Sequence, residues 1–349
     1  MRERSRSKKR SLNMGITILE IAKKTGYSKS TVHRALTSSS RIDEKTRQEI
    51  LRIANKYKYE PNLQARCLCG AKTKILGVII PDVGNSFYAK ALKGIDELAE
   101  REGYNVLMFT SHMSEKKEEL IVRKLQNHGV EGLLISSMAG GLELVSALKN
   151  AGIPYVGFHQ TNMSDIDFVH SGLEIGAFKI TDYLISLGHR RIGHVTIDQP
   201  VDLGIAQKLE GYKRALEKNG IPFDETLIMS RSKFYGFNTG YEATKELLKL
   251  RNPPTAVFVL CDRIAVGAVK AIKASGLRIP MDISVAGYDN EPFSEVIDPP
   301  LTTVSSSAYE IGKSAAELLI ENIENTNTKK RQLVIEPVLV IRDSCRKIG

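Results

Sequence analysis

Thr17-Ile18-Leu19-Glu20-Ile21-Ala22-Lys23-Lys24-Thr25-Gly26-Tyr27-Ser28-Lys29-Ser30-Thr31-Val32-His33-Arg34-Ala35-Leu36 is the stretch from which the rest of the chain is read. Thr17 followed three residues later by Glu20 is a capping box, so a helix starts at Ile18. Ile18, Ile21 and Ala22 lay an apolar stripe along it. Thr25-Gly26 ends that helix early, because glycine takes the left-handed cap conformation. Ser28 is a good N-cap for a second short helix from Lys29 to Leu36, with Val32, Ala35 and Leu36 turned inward. Two short helices joined by a tight glycine-containing turn predict a helix-turn-helix, whose second helix enters the DNA major groove. Its outward residues Lys29, Ser30, Thr31, His33 and Arg34 can all donate hydrogen bonds, as a reader of phosphates and base edges must. The competing reading of the same residues is a helical hairpin buried in a larger domain.

Charge favours DNA. Residues 1–70 hold 17 Lys and Arg against 6 Asp and Glu, whereas residues 71–349 hold 33 against 34. The basic excess therefore sits in the first fifth of the chain, the footprint of a nucleic-acid-binding head on a neutral body. Residues 1–15, with Arg2, Arg4, Arg6, Lys8, Lys9 and Arg10, read as a disordered basic arm, too polar for a signal peptide. No apolar run reaches the length of a membrane span. With four cysteines and no signal peptide, the expected location is a reducing cytoplasm. Cys67, Cys69, Cys261 and Cys345 lack partners at zinc-ligand spacing and are read as ordinary thiols, so neither metal nor cofactor is expected.

Asp43 caps a third helix through about Tyr57, whose Ile50, Ile53, Ala54 and Tyr57 are spaced to cover the first two. Residues 16–60 thus form the helix-turn-helix domain. Pro61 breaks this helix, and Asn62 caps a short one too small to be stable alone, placing a hinge helix and linker at 61–73. A plain linker is the alternative. From Lys74 onward strand and helix alternate, from Ile75–Ile80 to the helix at 311–325. Alternation of this kind means parallel sheets with helices on both faces, an α/β fold. The elements are too many for one open sheet, so residues 74–345 divide into two doubly wound lobes. Ligands bind such folds beyond the carboxyl ends of the strands, here in the cleft between lobes.

The chain resembles the LacI/GalR family of bacterial transcriptional regulators from Thr17 to about Cys345. The resemblance is carried by Thr17-Ile18-x-x-Ile21-Ala22, Ser28-x-x-Thr31-Val32-x-Arg34-x-Leu36 and Tyr59-x-Pro61-Asn62-x-x-Ala65-Arg66-x-Leu68. Pro81-Asp82-x-x-Asn85-x-Phe87, Gly188-His189-Arg190-Arg191-Ile192, Asp262-Arg263-Ile264-Ala265-x-Gly267 and Ile283-Ser284-Val285-x-Gly287-Tyr288-Asp289 follow in the same order. Asp298-Pro299-Pro300-Leu301-Thr302-Thr303-Val304 completes the set.

The resemblance implies a periplasmic-binding-protein-like, two-lobed effector domain and a homodimer on a pseudo-palindromic operator. One recognition helix would enter each half-site. Lys29, Ser30 and Arg34 would meet base edges, with Thr31 and His33 near phosphates and the capping Thr17 and Ser28 on the same DNA face. The family usually has a second serine where His33 stands. Asn62, Ala65, Arg66 and Leu68 match a hinge helix that orders in the minor groove, Leu68 standing where the family's wedge leucine kinks the DNA. In the cleft, Asn85, Phe87, Asp262 and Ser306 take effector-binding positions, and Asp262 is expected to accept two sugar hydroxyls. Two family arginines are replaced by Gln160 and Ala206, and a further polar position by Phe234 beside Tyr235. A small neutral, carbohydrate-like or glycoside effector fits this set better than a sugar phosphate.

An enzyme is disfavoured: there is no G-x-G-x-x-G, P-loop or G-x-S-x-G, and His189 and His194 read as surface or turn histidines. A solute-binding protein conflicts with the basic head. A repressor whose cleft binds nothing remains open.

Overall fold

The computed structural model describes residues 16–36, 42–57, 59, 72–137, 142–159, 166–198, 203–230, 236–325 and 329–348. The chain forms two compact units, Met1–Thr73 and Lys74–Gly349.

In the first unit the described helices are α1 (Ile18–Thr25), α2 (Lys29–Leu36) and α3 (Glu44–Lys56). The Thr17–Glu20 capping box is formed in both directions, and Gly26 ends α1 at φ 75°. Asp43 caps α3 by accepting from the Thr46 N–H. Ile21, Val32, Ala35, Ile50 and Ala54 make the core of this unit. A core this small needs all three helices, since none is long enough to persist alone. Tyr57 is the exception to the expected apolar face. It stays exposed and lies under Lys24, whose ammonium is 4.5 Å from the ring centroid.

In the second unit one sheet holds β1 (Ile75–Ile80), β2 (Asn105–Thr110), β3 (Gly132–Ile135), β4 (Tyr155–Phe158), β5 (Asp167–His170) and β11 (Gln332–Val334), in the order β11-β5-β4-β3-β1-β2. The other holds β6 (Ile192–Thr196), β7 (Ile228–Ser230), β8 (Ala256–Val259) and β9 (Ser284–Ala286), in the order β7-β6-β8-β9. All pairings in both sheets are parallel. The exception to the expected parallel pattern is a two-stranded antiparallel ribbon, β10 (Thr303–Ser305) with β12 (Val338–Val340). It belongs to the segments that cross between lobes.

The helices are α4 (Ser86–Arg101), α5 (Glu115–Asn127), α6 (Leu142–Ala151), α7 (Leu173–Ser186), α8 (Leu203–Lys218), α9 (Phe237–Leu248), α10 (Asp262–Ala274) and α11 (Ala308–Glu324). Three helix pairs pack especially closely: α4 with α11, α7 with α8, and α9 with α10. Glycine makes that approach possible. A Cβ on Gly94 or Gly312 would run into the backbone of the facing helix, and the same holds for Gly240 and Gly267 in α9 and α10. The histidines read as surface groups are both buried. His189 bonds to Thr255 Oγ1 (2.9 Å) and Ser284 Oγ (3.0 Å), while His194 stacks on Tyr212 and Phe258. Their hydrogen-bond and ring partners come from distant segments, so local sequence did not betray the burial.

Candidate functional site

The head carries the first candidate surface. Ser28 Oγ accepts from the Thr31 N–H (3.1 Å), which caps α2 and fixes its N-terminal turn. Ser28, Lys29, Ser30 and Arg34 are exposed, while Thr31 and His33 are half-buried. The Arg34 Nε–H donates to the Ser30 carbonyl (3.2 Å), so the guanidinium lies along the helix beside Ser30. Thr17 is exposed at the N-cap of α1, where its N–H donates to Glu20 Oε2 (2.7 Å). These exposed donors are the equipment of a helix that meets phosphates and base edges. The expected hinge contacts Asn62, Ala65, Arg66 and Leu68 lie outside the described residues.

The second candidate is the cleft of the larger unit, where strand ends of the two sheets approach. From the first lobe, the His159 ring stacks on Phe87 at 3.6 Å between centroids and meets Tyr88 edge-on at 5.8 Å. His159 has φ 66°, an uncommon conformation outside glycine, and its buried Nδ1 has no partner. Burial pushes its imidazole down to about 3, assisted by the nearby positive charge of Lys208 and by His170. From the second lobe, Lys208 on α8 donates to the Leu260 carbonyl (2.9 Å), lies 3.8 Å over the Tyr288 ring and stands 4.0 Å from Asp289 Oδ1. Ser111, Ser171, Thr196 and Ser230 each close the carboxyl end of a strand or directly follow it. Ser171, Thr196 and Ser230 each have a buried side-chain oxygen without a partner in the structure, whereas the Ser111 hydroxyl lies against the Glu118 carboxylate. Orphaned polar atoms at this end of parallel strands are what a polar ligand satisfies.

Several expected positions are placed differently. Asp262 is fully buried and its carboxylate is filled by the protein: Glu291 N–H (2.8 Å) and Ser294 Oγ–H (2.6 Å) donate to Oδ2, and Thr303 Oγ1–H (2.6 Å) to Oδ1. The two hydroxyls expected from a sugar are thus supplied by Ser294 and Thr303. Burial raises Asp262 to about 7. The carboxylate facing the cleft cation is instead Asp289. Ala206 is exposed on α8, and the inward residue of that turn is Lys208. Helical periodicity carried the signal: buried Tyr212 lies four residues beyond Lys208, on the same face, whereas Ala206 is rotated about 200° away from Lys208. Lys208 thus puts a cation beside this helix, where the sequence had offered Ala206 in place of a family arginine. Asn85 is exposed and uses Oδ1 to cap α4 by accepting from the Phe87 N–H (3.0 Å). Phe87 is buried in the cleft wall, and Ser306 is buried just beyond β10. Gln160, Phe234 and Tyr235 lie outside the described residues.

Residues 17–62 match the family described as bacterial regulatory proteins, lacI family, and residues 181–345 match a periplasmic binding protein-like domain. The HTH-type transcriptional regulator DegA of Bacillus subtilis (strain 168) is 31% identical over 335 residues, covering 95% of this chain and 98% of that protein. The chain belongs to the lacI family. Another LacI-family relative, catabolite control protein A of Priestia megaterium, is 33% identical over 311 residues, covering 88% of this chain and 92% of that protein. The structure titled transcriptional regulator CelR-cellobiose complex superposes with a TM-score of 0.71 at 27% identity, over 94% of this chain and 99% of that one. This LacI-family chain is accordingly a DNA-binding transcriptional regulator, and its relatives are regulators rather than enzymes. Among its described residues, no helix is long and apolar enough to cross a membrane.

Proposed function

We propose that this LacI-type regulator acts as a repressor, bound as a homodimer to a pseudo-palindromic operator at the bacterial nucleoid in the cytoplasm, with no catalytic activity of its own. Lys29, Ser30 and Arg34 read base edges, Thr31, His33, Thr17 and Ser28 hold phosphates, and Asn62, Ala65, Arg66 and Leu68 form a hinge helix in the minor groove. Apolar side chains left in water on both lobes, Val83, Met108 and Met113 on one and Val296 on the other, supply surface for a second copy to cover.

The inter-lobe cleft takes a small, neutral, hydroxyl-rich effector. The observation that carries this is the set of orphaned oxygens on Ser171, Thr196 and Ser230, together with His159 Nδ1. Lys208 faces Asp289, so the cleft's cation already has a counter-charge and does not call for an anionic ligand. A relative solved as a cellobiose complex agrees with that chemistry. A second reading, a repressor indifferent to ligand, draws on the His159 ring that already covers Phe87.

The test is operator binding by the purified chain on its own promoter region, titrated with salt and a panel of mono- and disaccharides. Release or tightening by one neutral sugar supports the proposal. Specific binding that no compound alters favours the ligand-independent reading, and tight binding of a sugar phosphate overturns the neutral class. Leu68→Ser should abolish preference for operator over random DNA while leaving salt-dependent non-specific binding; retained preference removes Leu68 from the minor groove.

A further inference from the structure

The two lobes are joined by direct side-chain contacts. The Arg263 guanidinium donates to the Gly84 carbonyl (2.8 Å) and the Lys90 ammonium to the Asn290 carbonyl (2.8 Å). The Ser86 hydroxyl donates to the Glu291 carboxylate. Gly84 lies just before α4, and Ser86 and Lys90 in its first two turns, in the first lobe, whereas Arg263, Asn290 and Glu291 belong to the second. Two of the three contacts converge on one short loop.

That loop is unusually determined. Asp289 and Asn290 both have left-handed backbones, at φ 101° and 48°, which side chains rarely adopt unless the surroundings hold them. The holding groups are visible. The Asp289 N–H donates to the Val304 carbonyl (2.7 Å), Asn290 Oδ1 accepts from Arg342 (2.8 Å), and the Glu291 N–H donates to buried Asp262 (2.8 Å). The loop is thus fastened to the core of its own lobe and to the crossing segment after β12. Its first residue faces Lys208 in the cleft and its next two reach across to α4.

We propose that residues 289–291 are a latch that holds the lobes closed in the absence of ligand, with Ser86 and Lys90 as the strike on the opposite lobe. A ligand that draws Lys208 away from Asp289 acts on the latch directly, because Asp289, Asn290 and Glu291 are consecutive and move together. That regulatory consequence rests on the cleft being the effector site; the latch itself does not. By differential affinity, a ligand that needs the latch open binds at the expense of the closed state, and one that fits within it reinforces closure.

Hydrogen exchange on the full chain, without DNA or added metabolite, tests the latch. In the unmodified protein, peptides spanning 84–92 and 287–294 should be protected together. Ser86→Ala with Lys90→Met removes both donors and should raise exchange in both peptides at least tenfold, while peptides containing β3 and β8 keep their rates. Arg263→Met, on the neighbouring contact, should raise exchange around 84 more than around 290. Protection unchanged in the double variant, or absent from the unmodified chain, overturns the latch. The sugar panel reports on the effector reading alone, so the two can fail separately.

Discussion

Asp262 is a carboxylate with no exposed surface that gathers three donors from two segments: the Glu291 backbone and Ser294 hydroxyl from one, and the Thr303 hydroxyl from the other. Gly287 leaves room for it, since a Cβ there would collide with Oδ1. Its work is to tie the loop after β9 to the start of α10 and to β10. Asp262→Asn puts an amide donor where donors already point, and should cost about 1–3 kcal/mol of stability in urea unfolding. Burial raises the carboxyl to about 7, against hydrogen bonds that lower it. A folded value above the unfolded one means that the folded protein binds the proton more tightly. The associated stability is complete below the ordinary 3.8 and declines as pH rises through about 7. Urea midpoints from pH 5 to 8 should show that decline in the unmodified chain and lack it in Asp262→Asn. Equal slopes in the two proteins would remove the assignment.

At the scale of the element, caps and glycines carry the specificity of packing. Thr17→Ala removes the oxygen that accepts from the Glu20 N–H and the hydroxyl that donates to its carboxylate, and should destabilise the head unit by about 1 kcal/mol. The readout is loss of head helicity at lower temperature while the larger unit melts as before; coincident shifts of both would tie the effect to something other than the cap. Gly267 faces the Phe237 backbone across the α9 and α10 contact. Gly267→Ala should therefore cost about 1–3 kcal/mol in the larger unit, because backbone cannot step aside as a flexible side chain can. A neutral result in urea would mean that the helices separate more easily than the glycine pair implies. Long elements are legible in sequence because several turns of consistent spacing reinforce one another, as in α4 and α11. The strands β5, β7, β10, β11 and β12 are not. They are three or four residues long, too short for alternation to show, and exist through the neighbours they pair with.

For the whole molecule, charge divides the chain into a basic head region and a neutral body, and binding strength should follow the head. Six of the basic residues lie in the first ten positions. Deleting residues 1–15 should make operator affinity less steeply dependent on salt, the logarithmic slope falling by about 0.9 for each phosphate that the arm neutralises. Fluorescence anisotropy on operator and random duplexes from low to moderate salt measures it. An unchanged slope on both would exclude the arm from the DNA.

What the sequence by itself determined is whatever depends on neighbours along the chain. The capping box, the glycine stop, the Ser28 cap, the apolar faces of the head helices and the alternation of strands and helices all lie within a few residues of the groups they constrain. The shared exposure of Lys29, Ser30 and Arg34 was readable for that reason, since local spacing defines the helix that carries them. The cleft was decided by tertiary structure. In sequence Asp262 is the expected ligand carboxylate, and Asp289 is only the end of a motif. Only packing spends the first on Ser294, Thr303 and the Glu291 amide and leaves the second beside Lys208. Likewise His159 becomes part of the cleft because Phe87, Tyr88 and Lys208, remote in the chain, surround it. A residue's chemistry toward a ligand depends on which of its hydrogen-bonding sites the fold has already filled, and that is a property of contacts between distant segments.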